Sequence, residues 1–164
     1  MGDLIIKNGG NLKTRKGLCP NVGNVNHQRR IIHCVGHDGG MSAGFALHVP
    51  DCHKEQFRNI HSSDEWRGHG YSAVTYGGLR PELYVHLVTK ELSSGLPTLE
   101  TLEEALDHFA GYAKTTSEPI DWEMPQIGCG IDGLFWKDVL PLIDKTARKI
   151  NGTITVYVLD GFQD

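Results

Sequence analysis

A glycine-rich loop between an apolar segment and an amphipathic segment constrains this chain more than any other feature. The apolar run covers residues 120–127, and Gly128, Gly130 and Gly133 follow it. Residues 136–150 then carry apolar side chains at helical spacing, which predicts an amphipathic helix. A strand, a glycine-rich loop and a helix in this order bring backbone N–H groups and the positive end of the helix dipole to one point. This segment therefore predicts a phosphate-binding loop.

The same glycines match the G-x-G-x-x-G fingerprint of dinucleotide-binding folds, and Asp160 follows the next strand where a ribose-binding acid would lie. Two observations argue against that interpretation. The strand–loop–helix unit closes the sequence, so we expect the second half of a dinucleotide site to be missing. Asp132 would also face the pyrophosphate, and like charges about 4 Å apart repel by about 4 kcal/mol near a protein surface. We therefore expect Asp132 to face a hydroxyl group or a water molecule.

Other segments alternate between strand-like and helix-like patterns. Apolar and β-branched runs predict further strands at residues 4–7, 30–35, 72–76, 83–89 and 153–159. Helices are expected to begin at Phe45, to cover residues 53–60, and to begin again at Thr98 or Thr101. This alternation predicts one α/β domain over residues 1–164, in which helices form layers on both sides of a mixed, mostly parallel sheet.

The composition is that of an ordinary soluble domain, with 39% hydrophobic and 22% charged residues among 164. The net charge of −4 offers no basic surface for bulk capture of nucleic acid, although residues 13–29 form a mildly basic polar loop. No apolar run approaches the ~20 residues of a membrane span, and the first residues lack the pattern of a signal peptide. We therefore expect a monomer in the cytoplasm, or in the nucleus of a eukaryote, with no membrane partner.

The four cysteines include no C-x-x-C pair, so reduced thiols in a reducing compartment are expected. A zinc site could be assembled from Cys34, His37, His48, Cys52, His53 and Cys129. Their spacing matches no standard zinc finger, and buried cysteines with surface histidines explain the pattern more simply. The sequence predicts no metal site and no cofactor.

Several motifs in combination resemble the macrodomains, the ADP-ribose-binding fold. They are His33-Cys34 followed by Met41-Ser42-Ala43-Gly44, Thr89-Lys90 followed by Pro97-Thr98, the Pro-x-Ile-Gly-Cys-Gly-x-Asp run at 125–132 with Trp136 after it, and a closing Thr155-Val156-Tyr157. The pattern is most similar to the branch of the terminal ADP-ribose protein glycohydrolase. Related branches contain the antitoxin macrodomains that remove ADP-ribose from DNA and the ADP-ribose-1″-phosphate phosphatases. The resemblance covers nearly the whole chain and is weakest over residues 13–29 and 48–81.

The resemblance implies a three-layer α/β/α macrodomain and assigns roles to individual residues. Lys90 matches the lysine that attacks C1″ of the distal ribose, and Asp132 matches the carboxylate that helps to resolve the adduct. The implied ADP-ribose contacts are Asn11, Leu12, Val35, Gly40, Met41, Ser42, Ala43, Gly44, Ile127, Gly128, Cys129, Gly130, Ile131, Gly133 and Tyr157. Among them, Asn11 stands where macrodomains usually have an aspartate that binds the adenine amino group.

The function implied is the binding of ADP-ribose and the hydrolysis of its linkage to a modified protein, as a carboxylate ester, or of O-acyl-ADP-ribose. Other functions use the same loops. A reader of ADP-ribose would bind it without catalysis. An ADP-ribose-1″-phosphate phosphatase or a hydrolase of ADP-ribosylated DNA would differ in the leaving group, and the basic loop at residues 13–29 favours a nucleic-acid partner.

Overall fold

Strands and helices alternate along the computed structural model, which describes residues 2–8, 29–41, 44–61, 65–77, 82–129 and 132–158. The strands are β1 (Asp3–Asn8), β2 (Arg29–Gly36), β3 (Tyr71–Gly77), β4 (Glu82–Lys90), β5 (Ile120–Pro125) and β6 (Gly152–Val158). The helices are a 3₁₀ helix (Gly44–His48), α1 (Asp51–His61), α2 (Leu99–Ala113) and α3 (Trp136–Lys149). Each strand and helix predicted from the pattern of apolar residues is present, within a few residues at either end.

The strands form one six-stranded sheet in the order β1-β6-β5-β2-β4-β3. Strand β3 pairs with β4 in antiparallel orientation, and the other neighbours are parallel. The prediction of a mixed, mostly parallel sheet is confirmed. Strand β4 lies between β2 and β3, and all of its residues except Leu83 and Lys90 are buried, as its nearly continuous apolar run predicts.

Helices cover both faces of the sheet. On one face, Ile32 of β2 packs with Phe109 of α2 and Ile143 of α3. On the other face, Val35 of the same strand packs with Phe57 of α1. Successive side chains of a strand point to opposite faces, so one apolar strand supplies both cores. The predicted three-layer α/β/α architecture is confirmed.

Helix α2 begins with Thr98 as its N-cap. The Thr98 hydroxyl accepts a hydrogen bond from the Thr101 backbone N–H at 3.1 Å, and the Thr101 hydroxyl accepts one from the Thr98 N–H at 3.1 Å. This reciprocal pair satisfies donors that the first turn of a helix leaves without partners. Of the two predicted starts, the earlier one is therefore correct, and it places the beginning of α2 close to the end of β4.

Three buried histidines form a hydrogen-bonded chain on the face covered by α1. His33 Nε2 lies 2.7 Å from His86 Nδ1, and Thr75 Oγ1 lies 2.8 Å from both His86 Nε2 and His53 Nδ1. Burial lowers the pKa of His33 to about 3, with the charges of His53 and Lys54 acting in the same direction, and burial lowers the pKa of His53 to about 4. His33 and His53 are therefore neutral at neutral pH.

The cysteines differ from the expectation of reduced thiols at one position. Cys34 and Cys129 are free, but Cys52 is disulfide-bonded. The lack of a C-x-x-C pair excludes only a disulfide between cysteines that are close in sequence, so that expectation is wrong for Cys52.

None of the helices within the described ranges is long and apolar enough to cross a membrane.

Candidate active site

The carboxyl ends of β5, β2 and β4 lie side by side at one edge of the sheet. Lys90 is the last residue of β4, and Asp132 belongs to the segment between β5 and α3. Lys90 Nζ donates a hydrogen bond to Asp132 Oδ1 at 2.7 Å, and the two side chains are 10% and 15% exposed. The structure thus brings together the two residues to which the sequence assigns catalysis. They form a nearly buried ion pair at the edge where α/β sheets bind ligands.

Gly128 lies at the beginning of the segment that carries Asp132. Its backbone has φ of 75°, and its carbonyl accepts a hydrogen bond from the Leu134 N–H at 2.9 Å. A Cβ at this position would lie 3.2 Å from Leu134 and 3.5 Å from Val139, so a side chain would be both strained and crowded. The glycine therefore lets this segment turn tightly against α3 and keep Asp132 near Lys90.

Cys34, a residue of β2, lies beside the ion pair of Lys90 and Asp132. Burial raises the pKa of its thiol, and the negative charge of Asp132 acts in the same direction. The positive charge of Lys90 and a hydrogen bond from the Gly128 N–H oppose this change but do not cancel it. The thiol therefore stays protonated at neutral pH. Because a cysteine nucleophile acts as the thiolate, these surroundings disfavour that role for Cys34.

The segment after β2 is bonded to the segment that follows Lys90. The His37 N–H donates to the Lys90 carbonyl at 2.8 Å, and the Asp38 N–H donates to the Glu91 carbonyl at 3.1 Å. Asp38 Oδ2 accepts a hydrogen bond from the Ser93 N–H at 3.0 Å, and Asp38 Oδ1 accepts one from the Ser93 hydroxyl. These bonds couple the position of the glycine-rich segment to that of Lys90.

The Asp38 carboxylate is ionised in this position. Burial raises the pKa of Asp38, but hydrogen bonds from Ser93 and Gly40 and the charge of Lys90 outweigh it, so the pKa lies below its usual value. Arg58 supports the same segment from α1, since its Nε donates to the Gly39 carbonyl at 2.8 Å. The segment is thus held by charged side chains on two sides.

The backbone N–H groups of residues 37–40 are already engaged within the protein. Those of residues 37–39 donate to backbone carbonyls, and that of Gly40 donates to two side-chain oxygens at 3.2 and 3.1 Å. Any phosphate contact from this part of the chain would therefore come from residues 41–44. Met41 has a positive φ of 46°, which is unusual for a residue with a side chain and is often found at ligand-binding segments.

The remaining predicted ADP-ribose contacts lie in different surroundings. Val35 and Ile127 are buried in the two cores, so only their backbone could reach a ligand. The Tyr157 hydroxyl donates to Glu123 Oε2 at 3.1 Å, and the Lys7 ammonium lies 5.6 Å from the centre of its ring. Gly44, Cys129 and Gly133 lie at the ends of the two glycine-rich segments. Outside the described residues are Asn11, Leu12, Ser42, Ala43, Gly130 and Ile131.

The residues considered for a metal site do not form one. Within the described ranges, no group of three His, Cys, Asp or Glu side chains is placed to hold a metal ion. His53 is bonded to Thr75 in the buried histidine chain, and Cys52 is disulfide-bonded. At the carboxyl edge of the sheet, Lys90 provides an amine and Asp132 provides a carboxylate.

The sequence interpretation did not assign roles to Asp38, Ser93 or Gln126. An acidic residue inside a glycine-rich segment was a usable signal for Asp38, because a carboxylate there needs donors. Ser93 follows Lys90 in an unremarkable polar run, so no local signal marks it. Gln126 begins the second glycine-rich segment, and its buried side-chain amide has no hydrogen-bond partner among the described residues.

Comparison with known proteins places the chain in a family. No protein-family model matches the sequence. The ADP-ribose glycohydrolases OARD1 of Bos taurus and Homo sapiens are each 30% identical to it over 131 residues, which is 79% of this chain and 81% of theirs.

Solved structures share the fold at lower sequence identity. The macrodomain of Mycobacterium tuberculosis DarG has a TM-score of 0.61 and 18% identity, over 85% of this chain and 95% of that one. Thermosipho africanus DarTG, solved in complex with ADP-ribose, has a TM-score of 0.68 and 18% identity, over 83% of this chain and 39% of that one. The sequence relationship to OARD1 and the shared fold lead to one conclusion: the chain belongs to the macrodomain family, in its ADP-ribose glycohydrolase branch, which places it among the hydrolases.

Proposed function

We propose that this macrodomain binds ADP-ribose at the carboxyl edge of its sheet and hydrolyses the bond between the distal ribose and a carboxylate of a modified protein. The observation that carries the proposal is the 2.7 Å pair of Lys90 and Asp132, nearly buried at that edge. The relationship to OARD1 supports the same reaction class, because those relatives are ADP-ribose glycohydrolases. The DarTG complex supports ADP-ribose as the ligand.

In the proposed mechanism, Asp132 accepts a proton from the Lys90 ammonium, which leaves a neutral amine beside the distal ribose. The amine attacks C1″, and the bond from C1″ to the carboxylate oxygen breaks with its electron pair on the leaving carboxylate. The result is an ADP-ribose adduct on Lys90. Water then hydrolyses the adduct, releasing free ADP-ribose and restoring the amine, with Asp132 as the proton-transfer group. An amine close to a carboxylate in a nearly dry site is suited to this covalent route.

The diphosphate would lie between the two glycine-rich segments. Backbone N–H groups of residues 129–133 would contact it on one side, and those of residues 41–44 on the other, while the Gly128 N–H bonds to Cys34. The beginning of α3 adds the favourable end of a helix dipole for an anion. The backbone N–H groups of residues 37–40 are bonded within the protein. These residues would therefore position residues 41–44 rather than bind the ligand themselves.

The experiment that tests the proposal is incubation with matched substrates carrying ADP-ribose on a glutamate peptide, on DNA, or as the 1″-phosphate, scored by release of free ADP-ribose. We expect the peptide ester to be cleaved fastest. Release from DNA alone would make the protein a DNA-ADP-ribose hydrolase, and loss of only the 1″-phosphate would make it a phosphatase. Binding of ADP-ribose without any release would make it a reader.

A further inference from the structure

A pocket of about 320 Å³ lies beside Lys90, at the start of α2. Its walls include Trp66, Leu92 and Leu96, together with Thr89 and Lys90 of β4. No part of the mechanism above uses this pocket. Lys90 therefore belongs both to the lining of this pocket and to the candidate active site.

The apolar walls are open to solvent although the residues are large. Leu96 is 71% exposed and Leu92 is 52% exposed. They lie on one short turn, since the Gly95 N–H donates to the Leu92 carbonyl at 2.9 Å. Single exposed leucines are common on protein surfaces, whereas contiguous exposed apolar side chains beside a pocket are a feature of binding surfaces.

The wall that contains Trp66 is fixed against α2. The Gly70 N–H donates to Glu104 Oε1 at 3.0 Å, and His69 Nδ1 lies 2.9 Å from Glu104 Oε2. A Cβ at Gly70 would overlap the Thr101 carbonyl, so only glycine allows this approach. The pocket is therefore a preformed feature, with its wall positioned by specific bonds.

Thr89 provides an independent sign that the pocket takes a ligand. Its side chain is buried, with 1% of the residue exposed, and its hydroxyl has no hydrogen-bond partner among the described residues. Buried hydroxyl groups nearly always have a partner, and an unpaired one destabilises the protein. A ligand that places an amide group against Thr89 would supply the missing bond.

The charge of the pocket selects between classes of ligand. Among the described residues that line it, only Lys90 and Glu91 are charged, and Lys90 is paired with Asp132. The remaining charge is thus negative, which opposes the phosphates of a nucleic acid. Apolar walls and one unpaired hydroxyl match a peptide segment that has an apolar side chain and backbone amides.

We propose that this pocket is a subsite for the target polypeptide, which receives an apolar side chain next to the ADP-ribosylated residue while a backbone amide of the target bonds to Thr89. The inference rests on the proposed function, since it takes Lys90 as the point at which ADP-ribose and target meet. The subsite would make the protein selective for modified residues with an apolar neighbour.

The test is a binding measurement that needs no turnover. Peptides carrying ADP-ribose through a non-hydrolysable link, with leucine or serine beside the modified residue, are compared with free ADP-ribose by calorimetry. We expect the leucine peptide to bind about tenfold more tightly than ADP-ribose, which is ~1.4 kcal/mol, and the serine peptide to gain little. Equal affinities for the leucine peptide and ADP-ribose would overturn the proposal.

Matched variants locate the effect. Leu96→Ser should remove the advantage of the leucine peptide and leave the affinity for ADP-ribose unchanged. Ile60→Ser is the control, because Ile60 is 52% exposed on α1, away from the lining. Thr89→Val should weaken peptide binding severalfold without lowering the melting temperature, because the lost hydroxyl had no partner to lose. If Leu96→Ser and Ile60→Ser behave alike, the pocket does not bind the target.

The outcomes separate this inference from the proposed function. A leucine peptide that binds more tightly but is never hydrolysed in its ester form would leave the subsite standing and overturn the hydrolase. A matched ADP-ribosylated oligonucleotide that gains more affinity than the peptide would overturn the polypeptide subsite alone. Failure of every ligand, ADP-ribose included, would overturn both, because the subsite is defined by its position beside that ligand.

Discussion

Asp38 accepts hydrogen bonds from both the backbone N–H and the hydroxyl group of Ser93, although 55 residues separate the two in sequence. Ser93 follows Lys90 closely, and Asp38 lies in the segment after β2 that leads to the predicted phosphate contacts. One carboxylate thus sets the distance between the candidate nucleophile and one wall of the candidate site. Its importance for both stability and turnover can be measured.

We predict that Asp38→Ala lowers the free energy of unfolding by about 0.5–1.5 kcal/mol, because charge-assisted hydrogen bonds at a partly exposed position are lost. Urea unfolding at neutral pH measures this change. Turnover should fall more than the affinity for ADP-ribose, since the position of Lys90 changes while the phosphate contacts remain. Ser93→Ala is the matched variant, and it should have a smaller effect because the Ser93 N–H bond survives. Equal effects of both variants would show that the hydroxyl bond alone matters.

The buried histidines predict acid sensitivity. A histidine in the unfolded chain has a pKa of about 6.5, so it is protonated below that pH. His33 and His53 stay neutral in the folded protein at the same pH, so the unfolded state binds more protons. The stability that depends on these neutral histidines is fully present above about pH 6.5. It is lost as the pH falls toward about 4 for His53 and about 3 for His33. The loss is at most about 1.4 kcal/mol per pH unit for each histidine. Urea unfolding at a series of pH values gives the slope.

His53→Gln removes one of these groups and should reduce the slope between about pH 6 and pH 5 by as much as about 1.4 kcal/mol per unit. The variant is less stable at neutral pH, because the Thr75 bond changes, but the slope is independent of that loss. His33→Gln should reduce the slope in the same way. An unchanged slope in both variants would assign the acid sensitivity to other groups.

The sheet was largely predictable from sequence because burial leaves a direct mark on it. The apolar run at residues 83–89 predicts a strand covered on both faces, and β4 is that strand. The approach of Lys90 and Asp132 follows from the same reasoning, since Lys90 ends β4, Asp132 follows β5, and the carboxyl ends of these strands lie at one edge of the sheet. The antiparallel direction of β3 could not be predicted from the pattern of apolar residues, because it depends on the path of the connecting segment.

Long-range polar contacts were not predictable. The bond between Asp38 and Ser93 joins two short polar segments, and neither has a periodic pattern that reveals a partner. The internal use of the Gly40 N–H has the same origin, because it depends on where Ser93 lies. The disulfide at Cys52 likewise depends on proximity in space rather than on spacing in sequence.

Asn11 provides a test of base recognition. A charged acceptor strengthens a hydrogen bond to about 1.5–3 kcal/mol, against about 1 kcal/mol for a neutral one. We therefore predict that Asn11→Asp tightens the binding of ADP-ribose and increases the preference for adenine over other bases, measured by calorimetry with base-substituted analogues. Asn8→Asp adds the same charge at an exposed residue of β1 and is the control. Weaker binding with an unchanged base preference would show that Asn11 does not contact the base.

Asp132→Asn keeps the shape of the side chain and removes its charge and its proton-transfer capacity. General acid–base groups typically contribute about 10²–10⁴ to a rate, so we predict a fall in turnover of at least about 100-fold. In the proposed mechanism Asp132 acts both in freeing the Lys90 amine and in releasing the adduct. The mass of the intact protein therefore shows which step is slowed more, since the Lys90 adduct accumulates only if its release is the slower step. Turnover within a few-fold of the wild type would exclude Asp132 from proton transfer.

Lys90 separates a hydrolase from a reader. If its amine attacks C1″, the imine formed on ring opening can be reduced by borohydride. The protein should then gain the mass of one reduced ADP-ribose adduct, which peptide mapping assigns to Lys90. Lys90→Arg is the sharpest variant, because a guanidinium retains the positive charge beside Asp132 but stays protonated and is not a nucleophile. It should abolish both adduct and turnover while keeping the affinity for ADP-ribose within about tenfold, ~1.4 kcal/mol.

Lys90→Ala removes the charge as well and needs a stability control, because breaking a buried ion pair costs up to about 3–5 kcal/mol. The double variant Lys90→Ala with Asp132→Asn provides it, since no buried carboxylate is left without a partner. If the lysine is the nucleophile, both variants are inactive and the double variant is the more stable. Turnover that survives in a folded Lys90→Arg or double variant would refute the covalent mechanism and leave direct attack by water as the route.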